Sequence, residues 1–303
     1  MQSLWMLVAS LLFAVMGACV KLATQHYGVA EIVFYRSLVG CLALAAFARW
    51  QGLKLATSLP WVHLRRGVAG TAALSLWFFA TTVLPLGTAM TLNYASSLYV
   101  AAFAVVAAVA AGRRINWALA TTVLIGFGGV LMVLQPSLNP QQAAAGIAGL
   151  ASGVLSAIAY WHVKDLGRRG EPEWRTVFWF SFTGVVLGLA GALLAGLSAH
   201  TAHGVALLLA IGVTATVAQL AMTRAYGAGR TLLTANLQYS AVVFATIIGV
   251  AWFADRIAAI GWLGIATIIV AGALATLIRP PAARLHSGDR PDRRHPHTGG
   301  PLA

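Results

Sequence analysis

Ten apolar stretches, each long enough to cross a bilayer, follow one another along the chain with short polar connections between them. A spanning helix needs about 20 apolar residues because the hydrocarbon core is about 30 Å thick. Only 9% of the residues are charged, whereas a soluble domain carries about 25%. We therefore predict an all-α polytopic membrane protein. The predicted spans are residues 4–23, 31–49, 67–84, 87–111, 116–135, 144–163, 174–197, 203–225, 231–253 and 258–278.

The basic residues are divided unevenly between the two sides that these ten spans define. Of 20 Lys and Arg residues, 17 fall on the side that holds both termini, and only Lys21, Arg36 and Arg256 fall on the other. Cytoplasmic loops carry an excess of Lys and Arg. We therefore expect both termini in the cytoplasm and the protein in the inner (plasma) membrane. The formal net charge of +13 is explained by this topology, so no nucleic-acid partner is predicted.

Residues 280–303 differ in composition from the rest of the chain, being rich in Pro, Gly, Arg and His. Such a segment cannot bury a core, and we predict a disordered basic cytoplasmic tail. Its arginines either contact anionic membrane lipid or remain solvated. Its histidines lack the spacing of a zinc module, and the spans hold no carboxylate cluster. No metal and no cofactor is therefore predicted.

The chain repeats itself at an offset of about 143 residues. Matches at offset 143 include Lys21 with Lys164, Asn93 with Asn236, Ser97 with Ser240 and Gly129 with Gly272, and matches at offset 144 include Ser37 with Ser181 and Gly40 with Gly184. Each half holds five spans, an odd number, so the second half enters the membrane inverted. Inverted repeats are a construction of secondary transporters. We predict a five-helix repeat at 1–140 and a second, inverted repeat at 141–279.

Several motifs resemble one membrane family. They are FYRSLVG at 34–40, RRINW at 113–117, GFGGVLMV at 126–133 and ADRIAAIGWLGIATIIVAG at 254–272. Over residues 3–279 the chain resembles the EamA-type branch of the drug/metabolite transporter superfamily. The resemblance implies ten spans, cytoplasmic termini, a central cavity and carriage of small organic metabolites. The chain departs from the family pattern at the end of the fourth span, where Gly112 and Arg113 replace the acid that is present as Asp255 at the end of the ninth.

Polar side chains recur on one face of the fourth and ninth spans. Asn93, Ser96 and Ser97 share a face because they are three and four residues apart, and the same spacing recurs from Asn236. A polar side chain inside a membrane is costly unless it meets a partner or water. The two stripes are therefore expected to face one wet cavity between the halves.

The predicted substrate pathway mixes amide, aromatic and cationic groups, which suit an organic solute with flat apolar parts and hydrogen-bonding or anionic groups. Its residues are Asn93, Ser97, Tyr94, Trp77 and Lys21 towards the outer side, and Tyr160, Trp161, His162, Gln219, Asn236, Gln238 and Tyr239 towards the inner side.

Each of these residues also has a purely structural interpretation. Lys21 can extend its ammonium group to the headgroups, and the aromatic residues can pack at the membrane interface. His162 either relays protons or is simply hydrogen-bonded, and the two asparagines can join helices. Glu31 and Arg36 are explained more readily by a pair with each other than by contact with a substrate.

The function that fits these features is secondary transport of an amino-acid-, nucleoside- or vitamin-like metabolite by alternating access. The chain has no GxxxxGKS phosphate-binding loop, so ATP is not the direct driver, and the coupling is expected from protons or from the solute gradient. The family resemblance favours export. Two alternatives remain open: a membrane-integral enzyme of lipid or acyl metabolism, for which no GxSxG or HExxH motif is present, and a non-transporting scaffold.

Spans 5 and 10 carry glycines that permit close helix approach. They are otherwise apolar, so we place them at the periphery of the bundle, where they would also supply the contact of a homodimer.

The topology predicts opposite accessibility for two loop positions. In a background without Cys19 and Cys41, a cysteine at Ser58 should react with an impermeant maleimide only from the cytoplasm, and one at Gln141 only from outside. Labelling of intact cells and of inside-out vesicles measures this, and the reverse pattern would overturn the orientation.

Overall fold

The structure, a computed structural model, describes residues 2–110, 112, 117–134, 140–228, 234 and 237–277. Every regular element in these ranges is helical. A 3₁₀ turn at Gln2–Leu4 precedes the α-helices, which are α1 (Trp5–Ala23), α2 (Val29–Trp50), α3 (Pro60–Val83), α4 (Leu86–Tyr94), α5 (Ser96–Ala110), α6 (Trp117–Leu134), α7 (Pro140–Arg168), α8 (Glu173–Ala195), α9 (Ala202–Ala228), α10 (Ser240–Phe253) and α11 (Ala259–Leu277). The predicted tail at 280–303 lies outside the described residues.

Much of the bundle has the apolar character that a membrane requires. Within the described ranges, five helical stretches are long and apolar enough to cross a bilayer: Gln2–Ala23, Val29–Trp50, Gln141–Arg168, Glu173–Ala195 and Ala202–Gly227. Shorter apolar helices occur at Ala120–Met132, Ser240–Phe253 and Ala259–Leu274. Large apolar side chains also cover the outside of the bundle, Leu194 being 91% exposed. Such a surface is compatible with lipid and not with water.

Each predicted span overlaps one or two of these helices, but two boundaries differ in ways that bear on the centre of the molecule. Helix α3 begins at Pro60 instead of residue 67. Proline is favoured at the first helical position because its missing N–H would be unbonded there and its φ already suits a helix. The earlier start brings Arg66, counted in the sequence among the basic residues of a cytoplasmic loop, into the helix and into the protein interior.

The fourth span, predicted as one helix over 87–111, is interrupted at Ala95, where α4 ends and α5 begins. The hydroxyl of Thr91 donates to the carbonyl oxygen of Gly87 at 2.7 Å, a back-bond that bends helices. In the ninth span, Tyr239 is a turn residue between the helical residues 237–238 and the start of α10 at Ser240. Interrupted helices near the centre of a bundle are typical of transporter binding sites.

The most extensive helix pairings join the first half of the chain to the second. They are α3 with α7, α2 with α8, α6 with α11 and α1 with α9. If each helix is replaced by its counterpart five spans away, the α1–α9 pair becomes the α7–α3 pair. The α2–α8 and α6–α11 pairs remain the same pairs. The two halves therefore interdigitate instead of forming separate bundles.

The matched small residues of α2 and α8 contact each other reciprocally. A Cβ atom added to Gly40 would lie 2.8 Å from Oγ of Ser181 and 2.9 Å from Oγ1 of Thr216, and one added to Gly184 would collide with Ser37 and approach Thr71. Gly184, Ser37 and Thr71 lie 144 or 145 residues from Gly40, Ser181 and Thr216, so the two contacts are made by corresponding residues of the two halves. Reciprocal contacts of this kind are expected where two units are related by a two-fold axis.

The α2–α8 contact makes a sharp prediction about Gly188. A Cβ at this position would lie 2.7 Å from the backbone nitrogen and 2.8 Å from the Cα of Phe34, whereas one at Gly128 on α6 would meet nothing within 4 Å. Because backbone cannot move aside cheaply, Gly188→Ala should destabilise by about 1–3 kcal/mol. Gly128→Ala should be neutral or stabilising by up to about 1 kcal/mol.

Thermal unfolding of the two variants in detergent measures this difference. Equal melting temperatures would show that α2 and α8 do not pack as closely as the structure has them.

Candidate functional site

A cavity of about 60 Å³ lies in the middle of the bundle, where helices of both halves meet. Helices α1, α3 and α4 line it from the first half, and α7, α8 and α9 line it from the second. Its lining residues are Phe13, Met16, Arg66, Gly70, Ala73, Leu74, Trp77, Met90, Asn93, Tyr94, Ser156, Ala159, Tyr160, Phe180 and Gln219. One cation, two amides, one serine hydroxyl and two phenols therefore face a space whose remaining walls are mostly apolar and aromatic.

Arg66 is the charged residue of this lining and is only 2% exposed. Its Nη2 donates to Oε1 of Gln219 at 3.2 Å, and its guanidinium lies over the Phe180 ring, 3.7 Å from the centroid. Arg66, Ser156 and Phe180 line the cavity but were not among the residues predicted from the sequence. The Pro60 start of α3 is the signal that would have placed Arg66 inside, since it puts six helical residues before it, about 9 Å of helix.

Arg36 approaches the same aromatic ring from α2. Its guanidinium carbon lies 5.2 Å from the centroid of Phe180, and the side chain is 3% exposed. The expected pair with Glu31 does not form: the Glu31 carboxylate accepts the backbone N–H of Ser198 at 3.3 and 3.4 Å, and the described ion pairs leave Arg36 out. The reason is geometric, because residues five apart in a helix do not share a face as residues three and four apart do.

Asn93 both lines the cavity and joins two helices. Its Nδ2 donates to the hydroxyl oxygens of Ser152 at 3.0 Å and Ser156 at 3.1 Å, both on α7. The close approach of α7 is possible because Gly153 lacks a side chain: a Cβ there would lie 2.7 Å from the carbonyl oxygen of Leu92. The interruption of the fourth span is thus held against the second half of the chain by hydrogen bonds.

Aromatic and amide groups continue from the cavity towards the end of α9. Tyr160 stacks on Tyr226 with ring centroids 5.5 Å apart, and the hydroxyl of Tyr226 donates to Oε1 of Gln238. Gln219 and Tyr160 line the cavity, while Gln238 is buried beyond it. Tyr239 is also buried and packs against Gly272 of α11.

An ion pair joins three chain segments at the end of the bundle predicted to be external. Nζ of Lys21 lies 2.7 Å from Oδ1 of Asp255, and Oδ2 accepts the backbone N–H of Leu86 at 2.8 Å. The N-terminus of α4 thus receives a negative charge, which its helix dipole favours. At the matching position of the first half, Gly112 offers no carboxylate, and the described ion pairs do not include Lys164.

Loop contacts hold the opposite, predicted cytoplasmic, end together. Oε1 of Glu171 lies 3.0 Å from Nε2 of His63 and 3.4 Å from Nη1 of Arg175, and the indole N–H of Trp179 donates to the carbonyl of Leu55 at 3.1 Å. Burial alone raises the pKa of Glu171, but hydrogen bonds from His63 and Thr57 and the charge of Arg175 outweigh it and lower the pKa below its ordinary value. The carboxylate is therefore ionised at neutral pH.

The structure brings together part of the predicted pathway. Trp77, Asn93, Tyr94, Tyr160 and Gln219 line one cavity. Lys21 pairs with Asp255 and is not in this lining, and Gln238 and Tyr239 are buried outside it. Trp161 is 69% exposed and packs against His162, with ring centroids 5.6 Å apart. Asn236 and the side chain of Ser97 lie outside the described part of the chain.

Comparison with known proteins points in one direction. The sequence profile of the EamA-like transporter family matches residues 1–135. The pseudopaline exporter CntI of Pseudomonas aeruginosa is 31% identical over 237 residues, which cover 78% of this chain and 82% of the exporter. A riboflavin transporter of Rhizobium johnstonii is 26% identical, with 89% of this chain and 88% of the relative covered.

Two further comparisons are more limited. An S-adenosylmethionine uptake transporter of Rickettsia prowazekii is 26% identical over 42% of this chain and 44% of its own length. A solved crystal structure superimposes with a TM-score of 0.65, covering 91% of this chain and 96% of the other, at 20% identity. At that identity the superposition shows the fold alone.

The contacts of Asp255 predict that its charge matters more than that of a surface carboxylate. Asp255→Asn weakens the pair with Lys21 and the hydrogen bond from Leu86, and should cost about 1.5–3 kcal/mol. Asp165→Asn, which affects an exposed pair with Arg169 one helical turn away, should cost about 0.5 kcal/mol or less.

Melting temperatures in detergent at low and high salt measure both effects. An Asp255→Asn variant as stable as Asp165→Asn would show that the Lys21–Asp255 pair contributes nothing to holding the bundle.

Proposed function

Because the chain belongs to the EamA-like transporter family, we propose that it is a secondary transporter that moves a small organic metabolite across the inner membrane by alternating access. It is a multi-pass membrane protein, as the family and the apolar helices indicate. The names of its relatives point to transport and not to catalysis, and they imply a small-molecule solute.

The observation that carries the proposal is the polar cavity between the two halves of the chain. Groups that need hydrogen-bond partners face it from α3, α4, α7 and α9, while the outer surface of the bundle is apolar. Transporters bind their substrates at such an interface between repeats. An amino-acid-, nucleoside- or vitamin-like solute fits a lining that combines amides with aromatic rings.

We also propose ten spans arranged as two inverted repeats, 1–140 and 141–279, with both termini in the cytoplasm. The helix pairings, the reciprocal contacts of Gly40 and Gly184, and the interruptions at Ala95 and Tyr239 support a two-fold arrangement. The distribution of Lys and Arg supports the orientation. Protons as the coupling ion, contact of the basic tail with lipid, and a homodimer remain part of the proposal.

Export is the proposed direction, as in the name of the Pseudomonas aeruginosa relative, although the Rickettsia prowazekii relative is named for uptake. The pathway residues proposed are the lining members Trp77, Asn93, Tyr94, Tyr160 and Gln219. The remaining members, which the solute would pass on its way in or out, are Lys21, Ser97, Trp161, His162, Asn236, Gln238 and Tyr239.

Substitution of Asn93 tests the pathway. A solute is first found by screening amino acids, nucleosides and vitamins for an increase in melting temperature, since a ligand of the folded state stabilises it by mass action. In proteoliposomes, Asn93→Leu should reduce exchange of that solute about tenfold or more, the loss expected for a buried polar contact, without reducing membrane expression.

The matched control is Thr82→Val, which removes a polar group from an exposed position of α3 and should leave the flux unchanged. Wild-type flux with Asn93→Leu would remove this residue from the pathway. Absence of flux for every solute that binds the wild-type protein would contradict transport itself.

A further inference from the structure

The two guanidinium groups at the centre of the bundle form no ion pair with a described carboxylate. Arg36 and Arg66 are almost completely buried. The described carboxylates are used elsewhere or lie at the surface, and the described ion pairs join Lys21 to Asp255, His63 and Arg175 to Glu171, and Arg169 to Asp165. Burying an ion without a partner is costly, so the burial of these two charges needs an explanation.

Neutral groups accept only some of the hydrogen bonds that the two guanidinium groups can donate. Arg66 donates to Gln219, and both arginines lie over the ring of Phe180. Within the described part of the chain, Nε and Nη1 of Arg66 and Nε of Arg36 have no hydrogen-bond partner. A guanidinium presents its donors in a planar fork that matches a carboxylate or a phosphate, and these N–H groups remain available for one.

The direction of the Arg66 side chain is the second observation. A cheaper conformation would extend the side chain back along α3 towards the membrane surface, as arginines near helix ends do. Instead, its Nη1 lies beside Gly70, one turn further into the helix, where an added Cβ would collide with it. The lack of a side chain at Gly70 therefore makes room for the charge inside the cavity.

The cavity also supplies surroundings for the rest of a solute. Tyr94, Tyr160 and Phe180 present aromatic rings, and Asn93 and Gln219 present amides, in the same lining as Arg66. The described carboxylates do not contribute to this lining, so it repels no anion.

We propose that this cavity binds the anionic group of a small organic acid, with Arg66 as its direct contact, Arg36 as a second positive charge across Phe180, and the tyrosines against its flat apolar part. A carboxylate is the group we favour, and a phosphate has the same chemistry. The assignment rests on the proposed transport function for its physiological meaning, but binding alone can test it.

The test uses the purified full-length protein in detergent and three probes that share an aromatic ring: 3-phenylpropionate, its neutral amide, and phenyl phosphate. At constant ionic strength, 3-phenylpropionate should raise the melting temperature in a saturable way and the amide should not. A response to phenyl phosphate alone would support the anion site with phosphate as its group. Equal responses to the acid and the amide, or no response to either anion, would overturn the proposal.

The variants are Arg66→Met and, as a matched control, Arg65→Met, which removes the same charge from an exposed position one residue earlier. Arg66→Met should weaken binding of the acid about tenfold or more and should melt at the wild-type temperature or above it, because a buried charge has been replaced by an apolar chain. Arg65→Met should bind within about twofold of wild type.

Arg66→Lys covers the case in which Arg66→Met fails to fold: it should fold, keep the preference for acid over amide, and bind more weakly because the planar fork is lost. Wild-type binding in either folded Arg66 variant would show that the arginine is structural. Anion binding without flux in proteoliposomes would refute transport and leave the site intact, whereas flux of a neutral or cationic solute without anion binding would do the opposite.

Discussion

In the hydrocarbon of a bilayer, an unsatisfied polar group costs several kcal/mol, and this single constraint explains where the polar side chains of the bundle lie. Asn93 meets two serines of α7, Glu31 meets a backbone amide of the α8–α9 loop, and Asp255 meets both Lys21 and the start of α4. Each of these contacts joins segments distant in sequence, so the polar groups that would be a liability in lipid hold the helices in register. Several buried hydroxyl and ring N–H groups among the described residues have no partner, and so do N–H groups of Arg36 and Arg66, which differ in carrying a full charge.

At the interface between the halves, glycines allow helices to pack closely. Gly40, Gly184 and Gly188 let α2 and α8 approach until serine hydroxyls or backbone atoms lie where a Cβ would be. Helices in lipid gain little from apolar side chains that could equally contact lipid, so close backbone packing becomes the main source of attraction. Short side chains packed against backbone do not interdigitate deeply. Such a contact is therefore compatible with small sliding movements of packed helices.

The sequence predicted the helices well and the centre of the molecule incompletely, for physical reasons that particular residues illustrate. Hydropathy locates apolar helices because lipid imposes both their length and their composition, and the overlap of each predicted span with a helix follows from that. Arg66 was misplaced because a window of apolar residues ends at a charge, whereas the helix itself starts at Pro60. The interruption at Ala95 leaves no trace in composition, since it depends on a back-bond from Thr91 and on contacts with α7. Trp77, Asn93, Tyr94, Tyr160 and Gln219 were selected because polar and aromatic groups inside a span need a reason, but their convergence on one cavity is a property of the tertiary structure.

The difference between Asp255 and its counterpart Gly112 has an energetic meaning. In a bundle whose halves were identical, two conformations related by exchange of the halves would have the same free energy and would be equally populated. Here Asp255 pairs with Lys21 and accepts the backbone N–H of Leu86, and the matching position carries a glycine with φ of 62°. A difference of about 1.4 kcal/mol already corresponds to a tenfold ratio of populations. In the proposed inverted repeat, this one difference would favour one of the two conformations, which identical halves could not do.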